Sequence, residues 1–195
     1  MIVFWCIDKF KGYYLLCVGF FGTVINQFLK IVCRIPRPWV KDPKFTIVES
    51  AREAASGYSF PSGHTQCSVG LYGGIARITN NKTLSVVMIV SSALIGLSRM
   101  YLGVHTPADV LVSVAIATIL IFIAHPIFNK AQKSPKVMYA VLFFFLAVII
   151  AYNCFVVFNG NALIGQTLEE AANYSSAVEN GFTLLGCALG LICIY

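Results

Sequence analysis

Residues Val137–Phe158 read VMYAVLFFFLAVIIAYNCFVVF, with Asn153 as the single strongly polar residue. As a helix this run extends about 33 Å at 1.5 Å per residue, enough to cross a hydrocarbon core of about 30 Å. The stretch therefore sets the solvent of the fold as the bilayer. Working outward, Tyr13–Cys33, Leu84–Leu102 and Ala108–Ile127 are further spans, and Thr65–Ile78 is a shorter one rich in small residues. Met1–Ile7 reads as the tail of a helix begun upstream, and Gly181–Tyr195 as a truncated span. The expectation is an all-α, polytopic transmembrane helical bundle, an internal fragment of a longer protein.

Composition agrees. Of 195 residues, 58% are hydrophobic and 11% charged. Soluble domains average about 25% charged. Mean hydropathy is +0.79. Intrinsic disorder, a nucleic-acid-binding tail and an ordinary soluble enzyme are excluded on these grounds. The seven cysteines are odd in number and form no C-x-x-C pair, so they read as packing residues.

The net charge of +6 follows the crossings. The short loops Asp8–Gly12, Arg77–Thr83 and Phe128–Lys136 carry Lys9, Lys11, Arg77, Lys82, Lys130, Lys133 and Lys136 against Asp8 alone. The opposite side receives residues 34–63, the Ser98–Pro107 turn and Asn159–Asn180, the last with Glu169, Glu170 and Glu179 and no Lys or Arg. The positive-inside rule makes the first side cytoplasmic. Trp39, Tyr58 and Phe60 flank the other side, as an aromatic belt or as contacts to a lipid.

Three polar clusters fall at one depth on that second side, where charge beside hydrocarbon is costly. In the first, Lys30 and Arg37 bracket a helix end, and Pro36 and Pro38 hold Arg37 extended. Alone, it also fits a snorkelling pair. In the second, Pro61-Ser62-Gly63-His64, Ser62 caps a helix and Gly63 admits a ligand to backbone N–H groups. Alone, His64 also fits an interfacial histidine. In the third, Ser98-Arg99 closes one span, Thr106 caps the next, and Pro107 opens it. Asp109 then lies within reach of His105, as its orienting partner or as a capping carboxylate only.

Together these residues suit a phosphate dianion: Lys30, Arg37 and Arg99 as cations, one imidazole as nucleophile and the other as acid. The acids are too scattered for a two-metal site, so no metal and no cofactor are expected. Residues 47–55 read as a short surface helix, either a solvated loop or a lid. Asn173-Tyr174-Ser175 has the form of a glycosylation acceptor. Gly70-x-x-x-Gly74 and Gly186-x-x-x-Gly190 permit close helix packing. His125 lies at the opposite membrane face and reads as an interfacial residue.

Lys30 with Arg37-Pro38, then Pro61-Ser62-Gly63-His64, then Ser98-Arg99 with His105 and Asp109, resemble the three-part motif of the type 2 phosphatidic acid phosphatase superfamily. That superfamily includes lipid phosphate phosphatases and the soluble vanadium haloperoxidases, and the membrane character favours the former. The resemblance implies that His105 forms a phosphohistidine, Asp109 orients it, and His64 protonates the leaving group. It implies that Lys30, Arg37, Ser62, Gly63 and Arg99 hold the phosphoryl oxygens, with Ser98 binding or supporting. It implies a metal-free phosphatase, and the loop charges place its expected site at the extracytoplasmic face, with the plasma membrane as the expected location. Its substrate would be a phosphorylated lipid such as phosphatidic acid, phosphatidylglycerol phosphate or a polyprenyl diphosphate. A phosphotransferase using the same site, or a non-enzymatic binder or transporter, are the alternatives. Membrane lipids are expected partners and nucleic acid is not; the sequence is silent on oligomeric state. The expected division is 1–12 as helix tail and loop, 13–127 as the phosphatase-like core lacking its N-terminal helix or helices, and 128–195 as an extension with one full and one partial span.

Overall fold

The computed structural model describes residues 3–42, 44–52, 55, 57–160 and 168–195. Among these, every regular element is helical. After a π-helical stretch, Val3–Ile7, come α1 (Lys9–Cys33), α2 (Pro38–Lys41), α3 (Glu49–Arg52) and α4 (Gly63–Ser68). A π-helical segment, Val69–Gly73, joins α4 to α5 (Gly74–Ile78). Then follow α6 (Lys82–Tyr101), α7 (Pro107–Ala131), α8 (Pro135–Phe158) and α9 (Leu168–Ile194). Among the described residues, five helices are long and apolar enough to cross a membrane: α1, α6, α7, α8 and α9. The chain is an integral membrane protein.

α1 is the hub and packs on α7, α4, α8 and α9. Asp8 caps it by accepting from Lys11 N at 3.0 Å. Two phenols tie it to its neighbours: Tyr13 donates to Leu191 O and Tyr14 to Ile121 O. The helical run from Gly63 to Ile78 is only about 24 Å long at 1.5 Å per residue. It is enclosed by α1, α6 and α7. Gly74 lets it approach α1, since a Cβ there would lie 2.7 Å from Leu15. A Cβ at Gly186 or Gly190 would meet nothing within 4 Å, so among the described residues the second glycine pair mediates no close packing.

α8 and α9 form an antiparallel hairpin. Asn153, the polar residue of the opening stretch, donates to Ile149 O at 2.9 Å and across to Gly181 O at 3.1 Å. A polar group inside a span thereby finds its partners in protein. The last span differs from the sequence expectation. Residues 168–180, read there as loop, belong to a helix of 27 residues, so the final span is not the short stretch Gly181–Tyr195. The polar side chains that broke the hydropathy pattern sit partly on a face turned to α1: Asn173 is buried and Asn180 half-buried. Glu179 on the same helix is exposed. Of the helix expected over 47–55, Glu49–Arg52 is helical, and Glu53 and Ala54 lie outside the described residues.

Candidate active site

The site forms at the end of α1 remote from Lys11, about 28 Å away along the axis at 1.5 Å per residue. A cavity of about 600 Å³ opens there, and Lys30, Arg37, Gly63, His64, Arg99 and His105 line it. Ser50, Ala51 and Ala55 contribute its wall from the 34–62 connection. That connection is tied down where Val48 N donates to Leu102 O at 3.2 Å. Three further residues singled out in the sequence, Ser62, Ser98 and Asp109, do not line the cavity but touch residues near it.

Lys30 lies in the last turn of α1, which ends as Arg34 enters the left-handed region at φ 47° and donates its N–H to Lys30 O. Arg37 is extended, with φ −64° and ψ 154°. Arg37 is 4% exposed, which is tolerable only with its donors used. It donates to Gly57 O and Val104 O, both at 2.8 Å, and to His105 Nε2 at 3.1 Å. Lys30 Nζ donates to Tyr58 O at 2.7 Å.

His105 sits in the tight turn between α6 and α7. Gly103 makes the turn at φ 75°, and a Cβ there would lie 2.7 Å from Thr46 O. Arginine can only donate, so His105 Nε2 is the acceptor nitrogen and the ring proton belongs on Nδ1. Nδ1 faces Asp109 Oδ2 at 3.4 Å, longer than a well-formed hydrogen bond. The same oxygen accepts from Ser59 Oγ at 2.6 Å and from Thr106 N at 2.8 Å. Asp109 thus both caps α7, in a reciprocal box with Thr106, and faces the imidazole. Burial pushes the His105 pKa below its usual 6.5; Arg37 and Lys30 push the same way, and the Asp109 contact opposes them.

Ser62 caps α4 by accepting from Thr65 N at 3.4 Å, and its hydroxyl also meets Thr65 Oγ1 at 3.0 Å. Its backbone bridges to α7: Ser62 N donates to Asp109 O, and Ser113 Oγ donates to both Ser62 O and Asp109 O. These contacts lock the second segment to the third. Gly63 and His64 follow directly, with His64 exposed toward the cavity. Ser98 Oγ donates to Ile95 O at 2.7 Å, leaving Arg99 to reach the cavity.

Sequence reasoning missed Ser59, Ser113 and Asn180, which lines the cavity from α9. It also gave no role to Asn26, which donates to Pro61 O at 3.4 Å. Asn26 carried a signal, being a polar residue in a span. Ser59 carried none. His125 lies apart, in a pocket of about 240 Å³ with Lys11 and Arg77. Asn173, the glycosylation-type asparagine, is 9% exposed. Among the described residues, no three His, Cys, Asp or Glu side chains gather as a metal-binding group.

Comparison with known proteins extends the pattern. Undecaprenyl-diphosphatase BcrC of Bacillus subtilis (strain 168) is 34% identical over 105 residues, covering 54% of this chain and 51% of that protein. Sphingosine-1-phosphate phosphatase 2 of Homo sapiens is 30% identical over 128 residues, covering 63% and 31%. Phosphatidylglycerophosphatase B of Bacillus subtilis is 28% identical over 130 residues, covering 61% and 60%. The chain therefore spans between 31% and 60% of the length of these relatives. No solved structure gives a significant match. The family model of the PAP2 superfamily matches residues 10–133, a stretch that runs through all three polar segments and both cavity histidines, and the chain belongs to that superfamily.

Proposed function

We propose that the protein is a lipid phosphate phosphatase that works through a phosphohistidine on His105. The observation that carries this reading is the common cavity, in which one histidine with an acceptor Nε2, a second exposed histidine and three cations share the wall. The relatives' names, all phosphatases of phosphorylated lipids, support the same class.

In the proposed reaction the terminal phosphoryl group sits among Lys30, Arg37, Arg99 and the Gly63 backbone, whose positive charge and N–H donors stabilise its equatorial oxygens. His105 Nε2 leaves its contact with Arg37 and attacks phosphorus. The N–P bond forms as the P–O bond to the lipid breaks, and His64 gives its proton to the departing oxygen. His64 then accepts a proton from water, which attacks the phosphohistidine and releases inorganic phosphate. Asp109 holds the Nδ1 proton, and the 3.4 Å contact shortens as the ring becomes cationic. Ser62 and Ser98 act by supporting His64 and Arg99. Residues 13–127 carry the chemistry, and 128–195 add a hairpin beside it. The charge asymmetry of the loops supports a site at the extracytoplasmic face.

The test is phosphate release from phosphatidic acid, phosphatidylglycerol phosphate and a polyprenyl diphosphate, in detergent with a chelator present. Turnover of at least one substrate, lost in His105→Ala and kept in His125→Ala, is expected. Equal activity of wild type and His105→Ala would reject the mechanism, and turnover that requires an added divalent ion would replace it with metal chemistry.

A further inference from the structure

The end of the bundle remote from the active site carries a second concave polar site. A cavity of about 240 Å³ opens there, lined by Lys11 of α1, Arg77 of α5, Asn80 and Gln132 among others. None of the residues lining it is a carboxylate. Asp8, close by in sequence, is turned to the backbone N–H of Lys11 as the cap of α1. Among the described residues, neither the Lys11 ammonium nor the Arg77 guanidinium has a hydrogen-bond or ion-pair partner, so their N–H donors are open to a ligand. His125 is part of the wall only. Its ring meets Tyr14 edge-on at 6.0 Å between centroids, and its Nδ1 lies 3.4 Å from Asn129 Nδ2.

Arg77 also lines an apolar groove of about 640 Å³ between α6 and α7. Along α7 this groove runs from Val110 to Phe122, about 18 Å at 1.5 Å per residue. That is close to the depth of one leaflet, half of a hydrocarbon core of about 30 Å. The small residues Gly73, Ala93 and Gly96 keep the groove open. Arg77 Cζ lies 5.7 Å from the centroid of the Phe122 ring, which steadies the guanidinium where groove and polar cavity meet. The polar cavity has the volume of about eight waters at about 30 Å³ each, room for a phosphate and a glycerol. Two cations beside neutral amides, joined to an apolar channel of leaflet depth, mirror the anatomy of an anionic phospholipid.

We propose that this is a binding site for an anionic phospholipid of the leaflet opposite the active site. Its phosphate lies between Lys11 and Arg77, its headgroup hydroxyls meet the amides of Asn80 and Gln132, and one acyl chain fills the groove between α6 and α7. A choline headgroup would set a third cation beside Lys11 and Arg77, so phosphatidylglycerol is preferred to phosphatidylcholine. The bound lipid bridges α1 and α7, whose opposite ends carry Lys30 and Asp109. The site stands independently of the reaction at the other face.

The experiment is native mass spectrometry of the full chain released from nanodiscs of equal phosphatidylglycerol and phosphatidylcholine, which reads bound lipid and oligomeric state together. Wild type retains phosphatidylglycerol in preference. Lys11→Gln with Arg77→Gln lowers that retention about thirtyfold. Lys82→Gln with Lys136→Gln removes the same charge from exposed positions outside the cavity and changes it by less than about threefold. Ala93→Phe fills the groove and lowers retention about tenfold, whereas Ala115→Phe, exposed on α7 outside the groove, does not. All the substituted side chains are exposed, so thermal unfolding in lipid-free detergent stays at the wild-type temperature. Equal retention of the two lipids, or equal losses from the two pairs of basic residues, overturns the site. Retention that survives Lys11→Gln with Arg77→Gln and is lost in Arg99→Gln places the lipid in the active-site cavity and overturns it too. A lipid-free dimer that Ala93→Phe dissociates assigns the groove to a second copy instead.

Discussion

Asp109→Asn isolates the charge behind His105. Two donors bond Asp109 Oδ2, Ser59 Oγ at 2.6 Å and Thr106 N at 2.8 Å, and His105 Nδ1 faces the same oxygen at 3.4 Å. An asparagine places its carbonyl oxygen at the same point, so the cap and the turn are kept while the negative charge is lost. A unit charge pair at this separation is worth about 5 kcal/mol at an effective dielectric of about 20. The amide oxygen retains a neutral hydrogen bond of about 1 kcal/mol. The remaining ~4 kcal/mol applies only when the ring is cationic, as in the transition state and the phosphohistidine, and corresponds to about 10³-fold in kcat. Single-turnover phosphate release by rapid quench measures it. The pH profile gives an independent check. The nucleophile must be neutral, so kcat/KM falls on the acid side, with a midpoint below 6.5 because burial depresses the His105 pKa. The Asp109 contact raises that pKa, so its loss moves the acid limb to still lower pH. A rate within tenfold of wild type, or an acid limb that moves upward, would refute this account of Asp109.

Three more outcomes follow from named contacts. His64→Ala lowers turnover of a lipid substrate about 10²- to 10⁴-fold, but an activated aryl phosphate, whose leaving group needs no proton, loses much less in the same assay. Ser59→Ala removes the 2.6 Å hydrogen bond to the carboxylate; a hydrogen bond to a charged group is worth about 1.5–3 kcal/mol, so kcat falls about 10- to 100-fold in steady-state assays while substrate affinity holds. Gly103→Ala forces a Cβ against Thr46 O at φ 75°, and thermal unfolding in detergent should show a loss of at least about 1 kcal/mol together with impaired turnover.

The cavity residues were legible because each breaks a hydrophobic pattern in a chemically definite way. Pro36 and Pro38 announce that Arg37 leaves the helix, and the structure has it extended. Thr106, Pro107 and Asp109 announce a helix start; Pro107 opens α7, and Thr106 and Asp109 form its capping box. Ser59 stayed hidden because its role exists only once the second segment folds against the third; a serine in a loop has no periodicity to betray it. The first half of α9 was misread for a related reason. Hydropathy measures fitness for lipid, whereas Asn173, Ser176 and Asn180 turn toward the cavities beside α1. Asn153 presented the same conflict inside a stronger apolar run, so the span around it was recognised and its partner, Gly181 O, was not. Intervals between motifs carry local structure well, but contacts across more than a hundred residues, such as Tyr13 with Leu191, leave no trace in one sequence.

The central claim is a covalent bond between phosphorus and His105. Quenching the wild-type protein in alkali during turnover of a ³²P-labelled lipid phosphate should yield a base-stable, acid-labile phosphoprotein, mapped to the peptide containing residue 105. His105→Ala should carry no label. A phosphoprotein that persists in His105→Ala, or label found on His64, would contradict the account.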